Sequence, residues 1–344
     1  MVDWSLADRI AGFLISDGDQ GAPRPGLQAM VDDSAERVVA YAKLEPLTAL
    51  PAPELVDRRT WARANLVSMR PLLDPIGAQL GDGLGPLAGA ARAGAGTLLG
   101  AQAGALLGLA SKRVLGQYDT ALVGEERPPR LLLVGPNLDE AARLLDAAPD
   151  EFDRWVALHE VTHAVQFAAV PWLRGHLGAM VGELTRTLEV KPSSTTFKLP
   201  SLGDVRGWAS AVSRGEILEL VTSPEQRALV DRMQATMALV EGHAEHVMDE
   251  AGVEVLPSLA KLRAAMGQRR REASLPARLL AKLLGLDLKL RQYEQGKAFC
   301  DGVVAEAGID VLNRAWSDPA LLPTLAELDD PQGWVDRTAA PAAA

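Results

Sequence analysis

Glycine returns every fourth residue at positions 96, 100, 104 and 108, and on an α-helix that spacing lays the four along one smooth stripe. A helix built this way carries no side chain on that face, so its backbone can approach a neighbouring helix closely. The surrounding run, residues 85–110, reads GPLAGAARAGAGTLLGAQAGALLGLA and is nearly long enough to span a bilayer. Arg92 and Gln102 interrupt it, Ala and Gly supply most of its letters, and Lys112 and Arg113 follow at once. A buried, closely packed helix of a soluble protein explains the same letters and is preferred to a membrane-inserted one. The stripe also offers a surface for a partner helix.

Apolar periodicity predicts further helices at about Trp4–Ile15, Pro25–Ala42 and Thr60–Leu80, with the Pro-rich LEPLTALPAPEL as a connection. Leu131–Val134 is the one compact strand candidate, closed by Gly135 and Pro136. Residues 137–168 read as two helical pieces, with Asn137 as a cap for the first. The stretch VKPSSTTFKLPSLGDVRGW fits a loop or hairpin. Ser223, Pro224 and Gln226 supply a cap, a proline at the first helical position and the partner for a capping box, starting a helix that runs to about Gly252. Helical patterns near Leu275–Cys300 and Val303–Trp316 precede a Pro- and Ala-rich tail, expected to fray. The expected class is mainly α with a small β component. Residues 1–120 form an N-terminal helical region packed on residues 121–344, as two regions or one domain.

Composition narrows the chemistry. The 344 residues are 48% apolar and 23% charged, enough to bury a substantial core, and the formal net charge is −10 with no long basic run. Nucleic acid is thereby a poor partner, as is an anionic membrane surface. Cys300 is the single cysteine, which excludes an intramolecular disulfide and a cysteine-based zinc site. Its expected role is that of a small buried apolar residue. The N-terminal MVDWSLADRIAGFLISDGDQ has acidic residues where a secretory signal would be basic, so a cytoplasmic location is the expectation.

Against that background, His159-Glu160-Val161-Thr162-His163 is the most specific signal. Two imidazoles four residues apart on a helix share a face and can both reach one zinc ion. Glu160 between them is placed to take a proton from a water activated at the metal and to pass it to a leaving group. A catalytic zinc site usually needs a third protein ligand. The extended pattern HExxHxxGxxH would supply one locally, but Gln166 and Ala169 occupy its Gly and His positions. The best remaining donor segment is LVEGHAEHVMDE, residues 239–250. Glu241 adjoins the apolar face of that helix and is favoured as the ligand, with Glu245, one turn on, orienting a ligand histidine. His243 and His246 are rival ligands; His176 reads as a surface histidine. Tyr293 is a candidate oxyanion stabiliser, although a packed aromatic with a bonded hydroxyl is the preferred reading.

The chain resembles a known family, the actinobacterial zincin-like metallopeptidases of unknown physiological substrate, some labelled as associated with biosynthesis of the deazaflavin coenzyme. The residues that carry the likeness span nearly the whole chain: VDWSLADRIA, GAQAGALLGLASKRVLGQYD, LLLVGPN, HEVTHAVQF, EGHAEHVMDE and KLRQYEQGKAFCDGV. The resemblance implies a mostly helical, zincin-like hydrolase in which His159, His163 and the glutamate of EGHAEH hold zinc. No coenzyme-synthesising reaction follows from the label. From the residues, the expected function is hydrolysis of a peptide or amide bond in a peptide or protein substrate. The alternative is a scaffold or binding protein that keeps zinc for structure.

Overall fold

The computed structural model describes residues 1–15, 21–79, 88–187, 223–271 and 289–339. The stretch VKPSSTTFKLPSLGDVRGW lies outside them, as does most of the pattern expected at Leu275–Cys300. The chain is mainly helical around a small sheet: α1 (Trp4–Leu14), α2 (Leu27–Ala42), β1 (Pro53–Val56), α3 (Arg58–Gln79), α4 (Ala88–Ala110), β2 (Gly116–Asp119), β3 (Arg130–Val134), α5 (Gly135–Leu144), α6 (Pro149–Ala169), α7 (Pro171–Thr187), α8 (Pro224–Gly252), α9 (Leu259–Arg271), α10 (Lys289–Ala307), α11 (Ile309–Leu312) and α12 (Pro331–Ala339).

The expected strand is the centre of the sheet. β3 pairs with β1 in parallel and with β2 antiparallel, giving the order β1-β3-β2. Successive strand residues face opposite sides. Leu131 and Leu133 join a core built from α2, α5, α6, α7, α8 and α10, while Leu132 and Val134 join a second built from α1, α3 and α4. A continuous Leu-Leu-Leu-Val run suits a strand buried on both faces. The flanking strands gave no such signal: β1 overlaps the end of the segment expected to be a connection, and β2 has no apolar alternation. Because β1 and β3 are hydrogen-bonded neighbours, the two regions either side of residue 120 share one sheet.

Local chemistry sets the helix ends. At α1, Asp3 caps by accepting from the Leu6 N–H (2.9 Å). At α8, Ser223 and Gln226 form the reciprocal capping box expected for them, with Pro224 at the start. Asn137, expected to be a cap, instead lies inside α5, whose cap position is Val134. Its buried amide donates to the carbonyls of Ser111 and Val114 and accepts from Arg58 Nε (2.6 Å). Those carbonyls belong to the turn that follows α4, and the interior amide is better used there, satisfying buried acceptors that the helix does not. At the C-terminus α12 continues to Ala339, held by the fully buried Trp334.

The glycine stripe of α4 is covered by the chain's own α1. A Cβ on Gly96, Gly100 or Gly104 would run into the backbone carbonyls of Met1, Asp3 and Ala7 respectively. With no side chain in the way, the Asp3 N–H reaches the Gly96 carbonyl at 3.0 Å. Among the described residues, Ala93–Ala110 is the one segment long and apolar enough to cross a membrane by length and composition.

This contact predicts opposite signs for two similar changes. Gly104→Ala should destabilise by about 1–3 kcal/mol, because the helices cannot separate without losing their packing. Gly94→Ala, where nothing lies within 4 Å, should stabilise by about 0.5–1 kcal/mol through helix propensity. Urea unfolding of the two variants measures both, and a neutral Gly104→Ala would argue against the docking.

Candidate metal centre

Helix α6 is buried on nearly all sides, between α2, α8 and the sheet. Its i, i+4 spacing places His159 and His163 one above the other, with rings 4.8 Å apart at 89°. Helix α8 crosses it and brings Glu241 to the same point. The rotation of α8 is set by its close contact with α10, where Gly242 and Gly296 meet backbone to backbone and a Cβ on either would collide.

The donor atoms converge. His159 Nε2 and His163 Nε2 are 3.3 Å apart, and Glu241 Oε2 lies 3.8 Å from the first and 3.5 Å from the second. Two donors at about 2.0–2.1 Å from one tetrahedral zinc ion stand roughly 3.3–3.5 Å apart, so the spacing and the N, N, O chemistry both fit zinc. Among the described residues this is the one group of three such donors that could hold a metal ion. The side chains are mostly buried, keeping 20%, 12% and 18% of their surface exposed.

Glu160, between the two histidines in the chain, lies against strand β2. The Tyr118 N–H donates to its Oε2 at 2.9 Å, and a Cβ on Gly116 would lie 2.7 Å from its Cγ. Burial pushes the Glu160 carboxyl up to about 7, against the pull of His163 and of the Tyr118 N–H. For His163, burial alone would lower the pKa, but the Glu241 carboxylate outweighs it and raises it to about 9. The Val134 N–H bonds to the Leu115 carbonyl, and backbone direction alternates along an antiparallel strand. Gly116 and Tyr118 therefore point their backbone groups away from β3, toward Glu160. Among the described residues no strand pairs with that edge of β2.

Residues 2–335 match the family described as zincin-like metallopeptidase. The chain belongs to that family. It is also similar to the crystal structure of "a putative hydrolase with a novel fold" from Chloroflexus aurantiacus, with a TM-score of 0.73 at 30% sequence identity, covering 99% of this chain and 100% of that one. No curated protein matches the chain.

In this zincin-like chain the other histidines are placed elsewhere. His243 is fully buried, its Nδ1 2.9 Å from Gln166 Nε2 and its ring edge-on to Trp316; burial pushes its pKa down to about 3. His246 has both nitrogens engaged, by the Tyr41 hydroxyl at 2.8 Å and by Asp301 Oδ1 at 2.7 Å. His176 is half-buried against Trp172. Cys300 is fully buried, and burial raises its thiol pKa. The side chain of Tyr293 lies outside the described residues. Glu245 is half-buried on α8, and the Nδ1 of His163 is held by Gln166 Oε1 at 2.9 Å.

Gln166 and the β2 edge are the parts that sequence reading missed. Gln166 had a signal, since a polar residue three positions after His163 shares its helix face. The β2 edge had none, because Gly-Gln-Tyr-Asp becomes a strand only through its pairing with β3.

The geometry separates the rival ligands by experiment. Glu241→Ala and His163→Ala should each lose zinc on dialysis against a weak chelator, because two protein ligands hold the ion poorly. His246→Ala should lose stability, since it removes the partner of the Tyr41 hydroxyl and leaves Asp301 with Lys297 alone, yet keep its zinc. Zinc per chain by atomic emission reads the result; loss from His246→Ala with retention in Glu241→Ala would reverse the assignment.

Proposed function

We propose that this protein is a zinc-dependent metallopeptidase that cleaves a peptide or amide bond, with His159, His163 and Glu241 as the metal ligands and Glu160 as the general base. The observation that carries this reading is the convergence of the three donors beside Glu160, which follows His159 in the chain and is bonded to the edge of β2 that no strand pairs with among the described residues. When bound there, zinc supplies Lewis acidity, making a water more acidic and a carbonyl more electrophilic.

The chain's own residues do the rest. The Tyr118 N–H pins Glu160 Oε2, which leaves Oε1 to accept a proton from the attacking water and return it to the leaving amine. Burial raises the pKa of this carboxyl in the metal-free chain, and a cation held by the three donors would draw it back down, keeping the carboxylate ionised to take the proton. The outward backbone groups of Gly116 and the Tyr118 carbonyl, which remain once the Tyr118 N–H is given to Glu160, can pair with an extended peptide as an added strand, laying a scissile carbonyl beside the donors. Gln166 holds the Nδ1 of His163, and Glu245, one turn beyond Glu241 on α8, is assigned to orienting a ligand histidine. Among the described residues three protein donors converge, and that number favours catalysis over the scaffold alternative, since structural zinc sites are usually closed by four.

Glu160→Gln tests the mechanism. The amide keeps the size of the side chain but cannot take the proton, so cleavage of a susceptible peptide found by library screening should fall roughly a hundred- to ten-thousand-fold. Zinc content and the unfolding midpoint should stay close to those of the parent protein. Cleavage at the parental rate would remove Glu160 from the chemistry.

A further inference from the structure

Gln166 is fully buried on α6, with three groups around its amide. Its Nε2 lies 2.9 Å from the Val240 carbonyl oxygen and 2.9 Å from His243 Nδ1, and its Oε1 lies 2.9 Å from His163 Nδ1. A carbonyl oxygen only accepts, so the amide atom facing Val240 is the NH2 group, and the orientation of Gln166 is settled without reference to either histidine. An NH2 group only donates, so His243 Nδ1 is an acceptor and that ring carries its proton on Nε2. The amide oxygen only accepts, so the proton of His163 is on Nδ1. The lone pair of a neutral His163 is then on Nε2, the atom 3.3 Å from His159 Nε2 and 3.5 Å from Glu241 Oε2.

We propose that Gln166 is a positioning residue for the metal centre: it fixes which nitrogen of His163 faces the ion, and Val240 and His243 lock it in that orientation. His243 thereby serves the centre at one remove, without touching the ion. The same amide ties the two ligand-bearing helices together, because it belongs to α6 and bonds to Val240, the residue before Glu241 on α8. Ring orientation at His163 and the reach of Glu241 are set by one contact.

This role rests on the metal centre proposed above, and the test keeps the two apart. Zinc affinity is measured by chelator competition on the full-length chain, its Gln166→Met and its Gln166→Glu variants. Methionine keeps the volume and removes every hydrogen bond, so Gln166→Met should bind zinc ten- to a hundred-fold more weakly, the loss usual when the partner of a ligand histidine is removed. Glutamate keeps an oxygen acceptor for the His163 Nδ1–H but loses the donations to Val240 and His243, so Gln166→Glu should fall between Gln166→Met and the parent. An amide needed only for packing predicts the reverse order, with apolar Met tolerated and a buried carboxyl disruptive. Parental affinity in Gln166→Met overturns the positioning role and leaves the metal centre standing, whereas no zinc uptake by the parent protein overturns both. Histidine nitrogen NMR of the zinc-loaded parent needs no variant to fold: His163 should be protonated on Nδ1 and His243 on Nε2. Either ring found as the other tautomer overturns the assignment.

Discussion

Helix α6 is packed against protein along most of its length, so the buried polar side chains around the metal centre must find their partners in the interior. An unpaired buried polar group costs about as much as several good contacts gain, and α6 carries Glu160, Thr162, His163 and Gln166 within two turns. Thr162 turns back to the Leu158 carbonyl, Glu160 takes the Tyr118 N–H, and His163 takes Gln166, which in turn takes Val240 and His243. Satisfying these groups requires β2 on one side and α8 on the other. The neighbours that complete the hydrogen bonding are the ones that frame the centre.

The placement of β2 and α8 depends on backbones that come very close. Gly242 and Gly296 let α8 and α10 meet, which fixes the rotation that carries Glu241 inward, and Gly116 lets the edge strand lie against Glu160. The stripe on α4 follows the same physics away from the site, holding α1 against the outer face of the helical layer that backs β3. A long run of Ala, Gly and Leu fits a lipid environment and a tight helix pair equally well by composition. What distinguishes them here is that the backbone of α1 occupies the glycine face.

The five histidines show how far environment outweighs residue type. His159 and His163 keep part of their surface in a pocket of donors, His243 is sealed beside Trp316, His246 bridges Tyr41 and Asp301 from α2 and α10, and His176 rests against Trp172. His243 and His246 stand within five residues of Glu241, close enough in sequence to compete for the same role. A helix turns 100° per residue, so neighbours in the chain face different partners, and only the packing around α8 decides which residue meets α6.

What the sequence determined by itself is what depends on local spacing: the helices, the cap and box at Ser223 and Gln226, the central strand at Leu131–Val134, the shared face of His159 and His163, and the need for a close helix against Gly96–Gly108. Each follows from the period of a helix or strand, or from the chemistry of a few adjacent residues. Tertiary structure decided the rest. It made strands of Pro53–Val56 and Gly116–Asp119, turned Asn137 from a cap into a clamp on the end of α4, brought Glu241 to the two histidines while turning His246 away, and gave Gln166 its three partners. Those outcomes hinge on contacts across dozens of residues, such as Gln166 with Val240 and Tyr118 with Glu160, and no local pattern encodes the rotation at which two helices or a helix and a strand will pack.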